Sequence, residues 1–195
     1  MTRAWQRMLS GRRLNILEPS ALDIEIEDIA HGLSRVARWN GQTVGPYPFS
    51  VAAHSLFVEK IFSRENPEMP PVYQLAALLH DSPEYVIGDL ISPFKQAISG
   101  HYKHIENKLL QAIHIKFGIP SQLPKGVTEA IKKADHYAAY EEARGLAGFS
   151  ETEANSIFVK PQHSYELSPI GSPDQAKQMF LQRYDFLDKA IQRAR

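Results

Sequence analysis

Residues 75–81 read Leu-Ala-Ala-Leu-Leu-His-Asp, and this stretch predicts a buried helix that ends in an imidazole and a carboxylate. The predicted helix runs from Val72 to His80, and Pro83 stops it where the polar pair emerges. A charge removed from water there costs several kcal/mol unless it is paired or binds a cation. His80 and Asp81 are therefore candidate metal ligands, although Asp81 can equally serve as a helix cap or an ion-pair acceptor.

Helical patterns separated by proline and glycine extend from this stretch over most of the chain. Ser50 and Ser172-Pro173 are typical of helix starts, and Gly118 and Gly148 of helix ends. Segments with strand character are too short and few to build a main sheet. We therefore predict an all-α fold, a helical bundle with at most minor β elements. The predicted helices cover residues 28–39, 51–62, 92–98, 102–117, 124–147 and a C-terminal stretch from 173, and the candidate strands are residues 13–17, 22–26 and 157–159.

Length and composition favour one domain spanning residues 1–195. The 22 Lys and Arg residues balance 22 Asp and Glu residues, so no overall field attracts a nucleic acid or an anionic membrane. No segment approaches the roughly 20 apolar residues of a membrane span, and no apolar secretory segment follows the N-terminal arginines. The absence of cysteine excludes disulfides, thiolate metal sites and a cysteine nucleophile. We expect a cytoplasmic protein that binds neither nucleic acid nor membrane.

The helix predicted at residues 51–62 places a second histidine on its inward face. Val58 and Ile61 mark the apolar stripe, and His54 shares that side of the helix. A lone inward histidine is usually a core residue bonded to a backbone carbonyl. His54 is instead a candidate ligand, because the His-Asp pair at residues 80–81 supplies further donors.

The helix predicted after Pro124 carries an aspartate on its apolar stripe. Asp135 lies on that stripe, which Glu142 continues. In a rotated helix, Asp135 would instead pair with Lys132 or Lys133 at the edge. The stripe consists of Val127, Ile131, Asp135, Ala138 and Glu142.

Together, His54, His80, Asp81 and Asp135 form a mixed nitrogen and oxygen ligand set on three separate helices. An ion that prefers five or six ligands would keep positions for water and a substrate oxygen, as in a catalytic site. One divalent metal ion is therefore the predicted cofactor. These donors suit Mn, Co, Ni, Fe and Zn, and Mg less well, so they do not name the ion.

The order of these motifs resembles that of the HD-domain metal-dependent phosphohydrolases. Val-Ala-Ala-His54, Leu-Leu-His80-Asp81 and Lys-Lys-Ala-Asp135 match the ligand motifs of that family in order. The segments 80–84 (His-Asp-Ser-Pro-Glu) and 88–95 (Gly-Asp-Leu-Ile-Ser-Pro-Phe-Lys), with Ala-Arg-Trp at 37–39, resemble YfbR-type 5′-deoxynucleotidases. The resemblance covers residues 28–147, with an N-terminal arm and a C-terminal helix packed on that core.

This resemblance implies an all-α HD fold in which the four ligands bind one divalent metal ion. It also implies that Glu84 serves proton transfer and that Asp89 lines the catalytic pocket. Arg38 and Trp39 match the residues that face the nucleotide in that family.

The chemistry of phosphate esters agrees with these roles, because hydrolysis needs a nucleophile, neutralised charge and a proton for the leaving alkoxide. We expect the metal to supply an activated water, Arg38 or Lys95 to hold phosphate oxygens, and Glu84 or Asp89 to handle the proton. Substituting Glu84 by alanine is expected to abolish turnover while the metal stays bound. The same residues also have plain structural interpretations as turn, first-turn or solvated side chains.

The leading hypothesis is a phosphomonoesterase acting on small nucleoside 5′-monophosphates, including deoxy forms. Another HD hydrolase, acting on nucleoside triphosphates or guanosine tetraphosphate, would share the ligand set but need a more basic pocket. A module that senses a nucleotide without hydrolysing it, and a helical adaptor without metal, are the alternatives outside catalysis.

Two flanking segments complete the interpretation. Residues 40–50 are rich in glycine, proline and aromatic residues, and we expect a loop at the border of the pocket. The C-terminal helix has an apolar face that can complete the core or join a homodimer, with the core as the default. That face comprises Phe180, Arg183, Phe186, Leu187 and Ile191.

Overall fold

Helices dominate the architecture, so the all-α prediction is confirmed. The structure, a computed structural model, describes residues 4–91, 94–95, 98–167 and 171–194. Eight α-helices lie in these ranges: α1 (Ile26–Leu33), α2 (Val51–Glu65), α3 (Pro71–Leu78), α4 (Glu84–Ile87), α5 (Ser99–Lys116), α6 (Lys125–Gly145), α7 (Glu151–Ile157) and α8 (Pro173–Ala194). None of the helices in these ranges is both long enough and apolar enough to cross a membrane.

Helix α2 is the central element of the bundle. It packs against α3, α6 and α8, and α8 also covers α1 and α3. The predicted cap is present, because the Ser50 hydroxyl accepts a hydrogen bond from the Ala53 N–H at 3.2 Å. Val51, Val58 and Ile61 are fully buried, so the predicted stripe does face the core.

The β structure is a single small hairpin in the described residues. Strand β1 (Trp5–Arg7) pairs antiparallel with β2 (Arg13–Asn15), which fits the strand predicted at residues 13–17. The strand candidate at residues 22–26 is wrong, because a 3₁₀ turn (Ala21–Asp23) and the start of α1 occupy it.

The helix predicted at residues 28–39 is too long, because α1 ends at Leu33. Beyond it the chain becomes extended, and Ala37 forms an isolated bridge with Ser50. The Arg38 N–H then donates to the Phe49 carbonyl at 2.8 Å. These backbone bonds, which no local pattern indicates, place residues 38 and 39 beside the start of α2.

The region after α6 also differs from the prediction. Helix α6 ends at Gly145 rather than near residue 147. The strand candidate at residues 157–159 is wrong, because its first residue ends helix α7 and the next two form no strand. A reciprocal capping box between Ser150 and Glu153 starts α7, and this signal was overlooked in the sequence. The short helix predicted at residues 92–98 falls mostly outside the described residues.

The C-terminal helix α8 supplies core residues on one side. Phe180 and Leu187 are fully buried and Ile191 nearly so, which fits the default prediction. Phe186 does not belong to that buried face, because its side chain is 61% exposed. Arg183 forms a two-point ion pair with the buried Glu59 of α2, at 2.8 and 2.6 Å.

Candidate metal centre

The structure brings the four predicted ligands together from three segments of the chain. His54 lies on α2, His80 and Asp81 lie in the turns between α3 and α4, and Asp135 lies on α6. Asp81 Oδ2 lies 3.4 Å from His54 Nε2 and 3.2 Å from His80 Nε2. Asp135 Oδ1 lies 3.2 Å from His54 Nε2 and 4.0 Å from His80 Nε2.

The lysine pairing offered as the alternative for Asp135 is not found among the described residues, although Ala134 beside it is buried. Asp135 faces His54 rather than a neighbouring lysine, while Lys133 pairs with Glu65 at 3.5 Å. Helix α3 ends at Leu78, two residues before the predicted end, so His80 and Asp81 project from turns and not from a regular helix.

Both imidazoles present the same nitrogen to this cluster. His54 Nδ1 lies 2.5 Å from Glu142 Oε1, and His80 Nδ1 lies 2.9 Å from the Ala77 carbonyl oxygen. A carboxylate or carbonyl oxygen only accepts hydrogen bonds, so each Nδ1 donates a proton to its partner. The two Nε2 atoms, which point into the cluster, are therefore the ring atoms that can bind a metal ion.

These donors fit a metal ion. Both Nε2 atoms are buried and make no hydrogen bond within the described part of the chain. Ligand atoms of His54, His80 and Asp81 lie within 4.8 Å of one another, so the three residues could hold a metal ion. Unpaired imidazole nitrogens next to carboxylates are the donors that divalent transition metals and zinc prefer.

Electrostatics also favour a cation in this place. Burial opposes ionisation of Asp81, yet the imidazoles of His80 and His54 lower its pKa well below the usual range. Burial and Arg38 would lower the pKa of His54, but Glu142, Asp135 and Asp81 raise it well above the usual value. The surplus of carboxylates thus attracts positive charge to the cluster.

Glu142 is a further residue of the site, and the sequence analysis placed it on the stripe without assigning it a role. Its side chain is fully buried, with Oε1 on His54. Oε2 accepts hydrogen bonds from Trp39 Nε1 at 3.0 Å and from Arg38 Nη2 at 3.5 Å. Burial would raise the pKa of Glu142, but His54 and Arg38 lower it, so the carboxylate stays ionised.

Arg38 and Trp39 reach the site through an unusual backbone. Trp39 and Asn40 both adopt left-handed conformations, with φ of 55° and 50°. Such conformations persist only where the surroundings impose them. The Arg38 guanidinium then lies 3.6 Å from Asp89 Oδ1 and 4.0 Å from Asp81 Oδ2. It therefore sits among three carboxylates, counting Glu142.

The two candidate proton-transfer residues lie in different surroundings. Glu84 is buried and its Oε1 accepts a hydrogen bond from Lys95 Nζ at 2.9 Å, while Oε2 makes no hydrogen bond among the described residues. Burial, then the charges of Asp81 and Asp89, raise the pKa of Glu84 to about 8, against the opposing effect of Lys95. Burial also raises the pKa of Asp89, although Arg38 opposes this shift.

A cavity of about 590 Å³ opens beside the cluster. One end is charged and the other is apolar, with the rings of Trp39, Phe149 and Phe158 packed against one another at centroid distances of 5.8 Å. Glu84 and the loop at residues 40–50 are not among the described lining residues, although Trp39, directly before the loop, is one of them. The charged end comprises Arg38, Asp81, Asp89, Lys95 and Asp135, and the apolar end Trp39, Ala139, Phe149, Ile157, Phe158 and Val159; Leu90, Ile91 and His136 complete the described lining.

A comparison with known sequences places the chain beside a bacterial relative. It is 58% identical over 161 residues to an uncharacterized protein of Rhodobacter capsulatus, and the match covers 83% of this chain and 82% of the relative. The chain belongs to the same family as that protein. No family model matches the sequence.

Some of the predicted site residues contact one another in the structure, and others lie apart from the cluster. The four candidate ligands form one cluster, which Asp81 joins to Arg38 and Arg38 to Asp89, whereas Glu84 and Lys95 form a separate pair. Glu142 could have been found from its position two helical turns after Asp135, on the same buried face. The aromatic contribution of Phe149 and Phe158 depends on the unpredicted helix α7 between them.

Proposed function

We propose that the protein is an HD-domain phosphohydrolase that uses one divalent metal ion to release phosphate from nucleoside 5′-monophosphates, including deoxy forms. One observation carries this proposal. Two buried and unpaired Nε2 atoms face the carboxylates of Asp81 and Asp135 at the wall of a cavity that also holds Arg38. Buried polar atoms without partners are rare in proteins, and where they converge they indicate a ligand.

The metal ligands in this proposal are His54, His80, Asp81 and Asp135. When bound, a divalent ion supplies charge neutralisation at phosphoryl oxygens and makes a water molecule more acidic. The hydrogen bonds at Nδ1 fix the orientation of both imidazoles, so that each Nε2 faces the position of the ion.

Arg38 is the residue we assign to the phosphate. Its contacts with Asp81 and Asp89 are long, 4.0 and 3.6 Å, and its Nε makes no hydrogen bond among the described residues. The guanidinium therefore has donors left for phosphoryl oxygens, which it binds in two-point geometry. Burial would lower the pKa of Arg38, but the surrounding carboxylates raise it, so the group stays charged.

The proton for the leaving alkoxide comes from Asp89 in this proposal. Asp89 lines the cavity and contacts Arg38, whereas Glu84 lies behind Lys95. Burial raises the pKa of Asp89, which makes it easier for this carboxyl to hold a proton for transfer. Glu84 serves mainly to hold Lys95 at the charged end.

The nucleoside fits the apolar end of the cavity. Trp39, Phe149 and Phe158 form an aromatic wall on which a base can stack. The described lining of the cavity contains one arginine, Arg38, and one lysine, Lys95. Both side chains already contact carboxylates. This charge balance favours one phosphate over the chain of phosphates in a nucleoside triphosphate.

The test is phosphate release from a panel of ribo- and deoxyribonucleoside mono-, di- and triphosphates. Protein stripped by a chelator is resupplied with Mn²⁺, Co²⁺, Zn²⁺ or Mg²⁺, one at a time. The proposal predicts release from the monophosphates only after metal is returned.

Two outcomes would contradict the proposal. Release from triphosphates without release from monophosphates would favour the other class of HD hydrolase. Binding of a monophosphate, measured by calorimetry, without release under any metal would indicate a sensing module instead.

A further inference from the structure

Glu142 joins the two halves of the candidate site through one buried carboxylate. Its Oε1 contacts His54 Nδ1 at 2.5 Å, on the side of the ring opposite the cluster. Its Oε2 contacts Trp39 Nε1 at 3.0 Å and Arg38 Nη2 at 3.5 Å. Both oxygens of a fully buried group are therefore used, one toward the ligand cluster and one toward the cavity.

We propose that Glu142 is a positioning residue that holds His54 for metal binding and, with the same carboxylate, holds Arg38 and Trp39 at the substrate side. This inference rests on the proposed metal site. It does not depend on which phosphate ester is hydrolysed.

The contact with His54 determines which ring nitrogen can bind a metal. Because a carboxylate only accepts, His54 Nδ1 must donate, and Nε2 is the ring nitrogen left to bind a metal ion. A carboxylate behind a ligating imidazole fixes its orientation and increases its basicity, and loss of such a partner weakens metal binding about 10- to 100-fold. Asp135 on the same face of α6 reaches the opposite nitrogen of the same ring.

The second oxygen explains how the strained segment is held. Trp39 and Asn40 occupy left-handed conformations that cost free energy unless other contacts compensate. The bond from Trp39 Nε1 to a charged acceptor is one such contact, and Arg38 balances the buried charge. A change at His54 is therefore transmitted by Glu142 to the wall of the cavity.

The test uses Glu142→Gln in a Trp5→Phe background, in which Trp39 is the remaining tryptophan of the two in the sequence. Glutamine has nearly the same shape, but it removes the charge and turns an N–H₂ group toward either His54 or the donors Arg38 and Trp39. The matched control is Glu141→Gln. Glu141 is also buried, but it accepts from the Tyr165 N–H at 3.1 Å and contacts Arg144 instead of the cluster.

Zn²⁺ affinity and Trp39 emission are measured for both variants. Zn²⁺ affinity, from competition with a chromophoric chelator, should fall about 10- to 100-fold in Glu142→Gln and stay unchanged in Glu141→Gln. Zn²⁺ should shift the Trp39 emission of the parent and of Glu141→Gln, and the shift should be lost in Glu142→Gln at saturating Zn²⁺. A purely structural role would not separate the two variants in this way.

Unchanged Zn²⁺ affinity in Glu142→Gln, or an equal loss in Glu141→Gln, would overturn the role of Glu142. Failure of the parent chain itself to bind Zn²⁺ would overturn the proposed metal site and the inference with it. If Glu142→Gln does not fold, a measurement on the parent chain tests the inference instead. The nitrogen-15 chemical shifts of the zinc-loaded parent chain should show the His54 ring proton on Nδ1, and a proton on Nε2 would overturn the inference.

Discussion

Helix α2 carries one buried ionic contact toward α8 and another toward α6, and the two differ in how completely their polar atoms are paired. Toward α8, both oxygens of Glu59 accept from Arg183, and Oε1 also accepts from Ser63 at 2.6 Å. Toward α6, His54 bonds Glu142 through Nδ1, but its Nε2 faces Asp81 and Asp135 without a hydrogen bond.

This difference fits a structural contact toward α8 and the proposed metal site toward α6. A buried charge that has all its partners stabilises one arrangement of two helices. A buried polar atom without a partner costs free energy, about 1–3 kcal/mol, and persists where function requires it. The α2–α8 contact should therefore govern stability, and the α2–α6 contact should govern metal binding and catalysis.

The largest expected effect follows from Asp81→Ala. Phosphate release should fall at least about 10³-fold, because the charge stabilisation supplied through this ligand is worth several kcal/mol. Zn²⁺ affinity should fall as well, while the thermal unfolding temperature should not decrease. Asp185→Ala, an exposed position on α8, is the control and should leave all three unchanged. If Asp81→Ala still released phosphate in a metal-dependent way, the α2–α6 contact would not have the catalytic role assigned to it.

Substitutions of Asp89 and Glu84 test which of the two carboxyl groups transfers the proton. Asp89→Asn should lower kcat about 10²- to 10⁴-fold, because this group transfers the proton in the proposed reaction. Glu84→Gln should cost only about tenfold, since glutamine resembles the protonated carboxyl that the raised pKa of Glu84 favours. Rates are measured at saturating metal. The reverse order of losses would assign the proton to Glu84, as the family resemblance implies.

A change on the other side of α2 tests the structural half of the comparison. Arg183→Ala leaves the Glu59 carboxylate buried without its cation and should lower the free energy of unfolding by about 3 kcal/mol. Denaturant unfolding measures this loss. Zn²⁺ affinity at a temperature where the variant is folded should equal that of the parent. A large decrease in affinity would mean that the two sides of α2 are not independent.

The smallest effect is expected at the aromatic wall. Phe158→Ala removes a ring packed edge-on against Trp39, and KM for a nucleoside monophosphate should rise about two- to tenfold. The value of kcat should change little, because no charged group is altered. Ile157, which is exposed at the rim, offers a milder comparison as Ile157→Ala. An effect on kcat larger than that on KM would contradict a role for this wall in binding.

The candidate ligand set could be predicted from the sequence because each of its residues interrupts a strong local pattern. His54 and Asp135 lie on apolar stripes, and the His80-Asp81 pair follows an apolar run. Helical periodicity predicts which face such residues share, and the bundle then brings those faces together. The overall helical class followed from the same periodicity.

The rest of the site depends on contacts that are not local. The position of Arg38 follows from the bridge between Ala37 and Ser50 and from the left-handed conformations of Trp39 and Asn40. The residue types at positions 39 and 40 do not predict these conformations. Glu142 continues a stripe that was recognised, but its role depends on His54 from another helix. The aromatic wall requires helix α7, whose capping box was a readable signal.

The most direct test of the central claim is anomalous diffraction from crystals soaked in Zn²⁺, with data collected at the zinc absorption edge. The proposed metal site predicts one strong peak within about 2.0–2.1 Å of both His54 Nε2 and His80 Nε2, with Asp81 and Asp135 as the remaining ligands. Absence of a peak at this cluster in crystals that bind Zn²⁺ elsewhere would contradict the proposed metal site. Coordination of His54 through Nδ1 would contradict it as well.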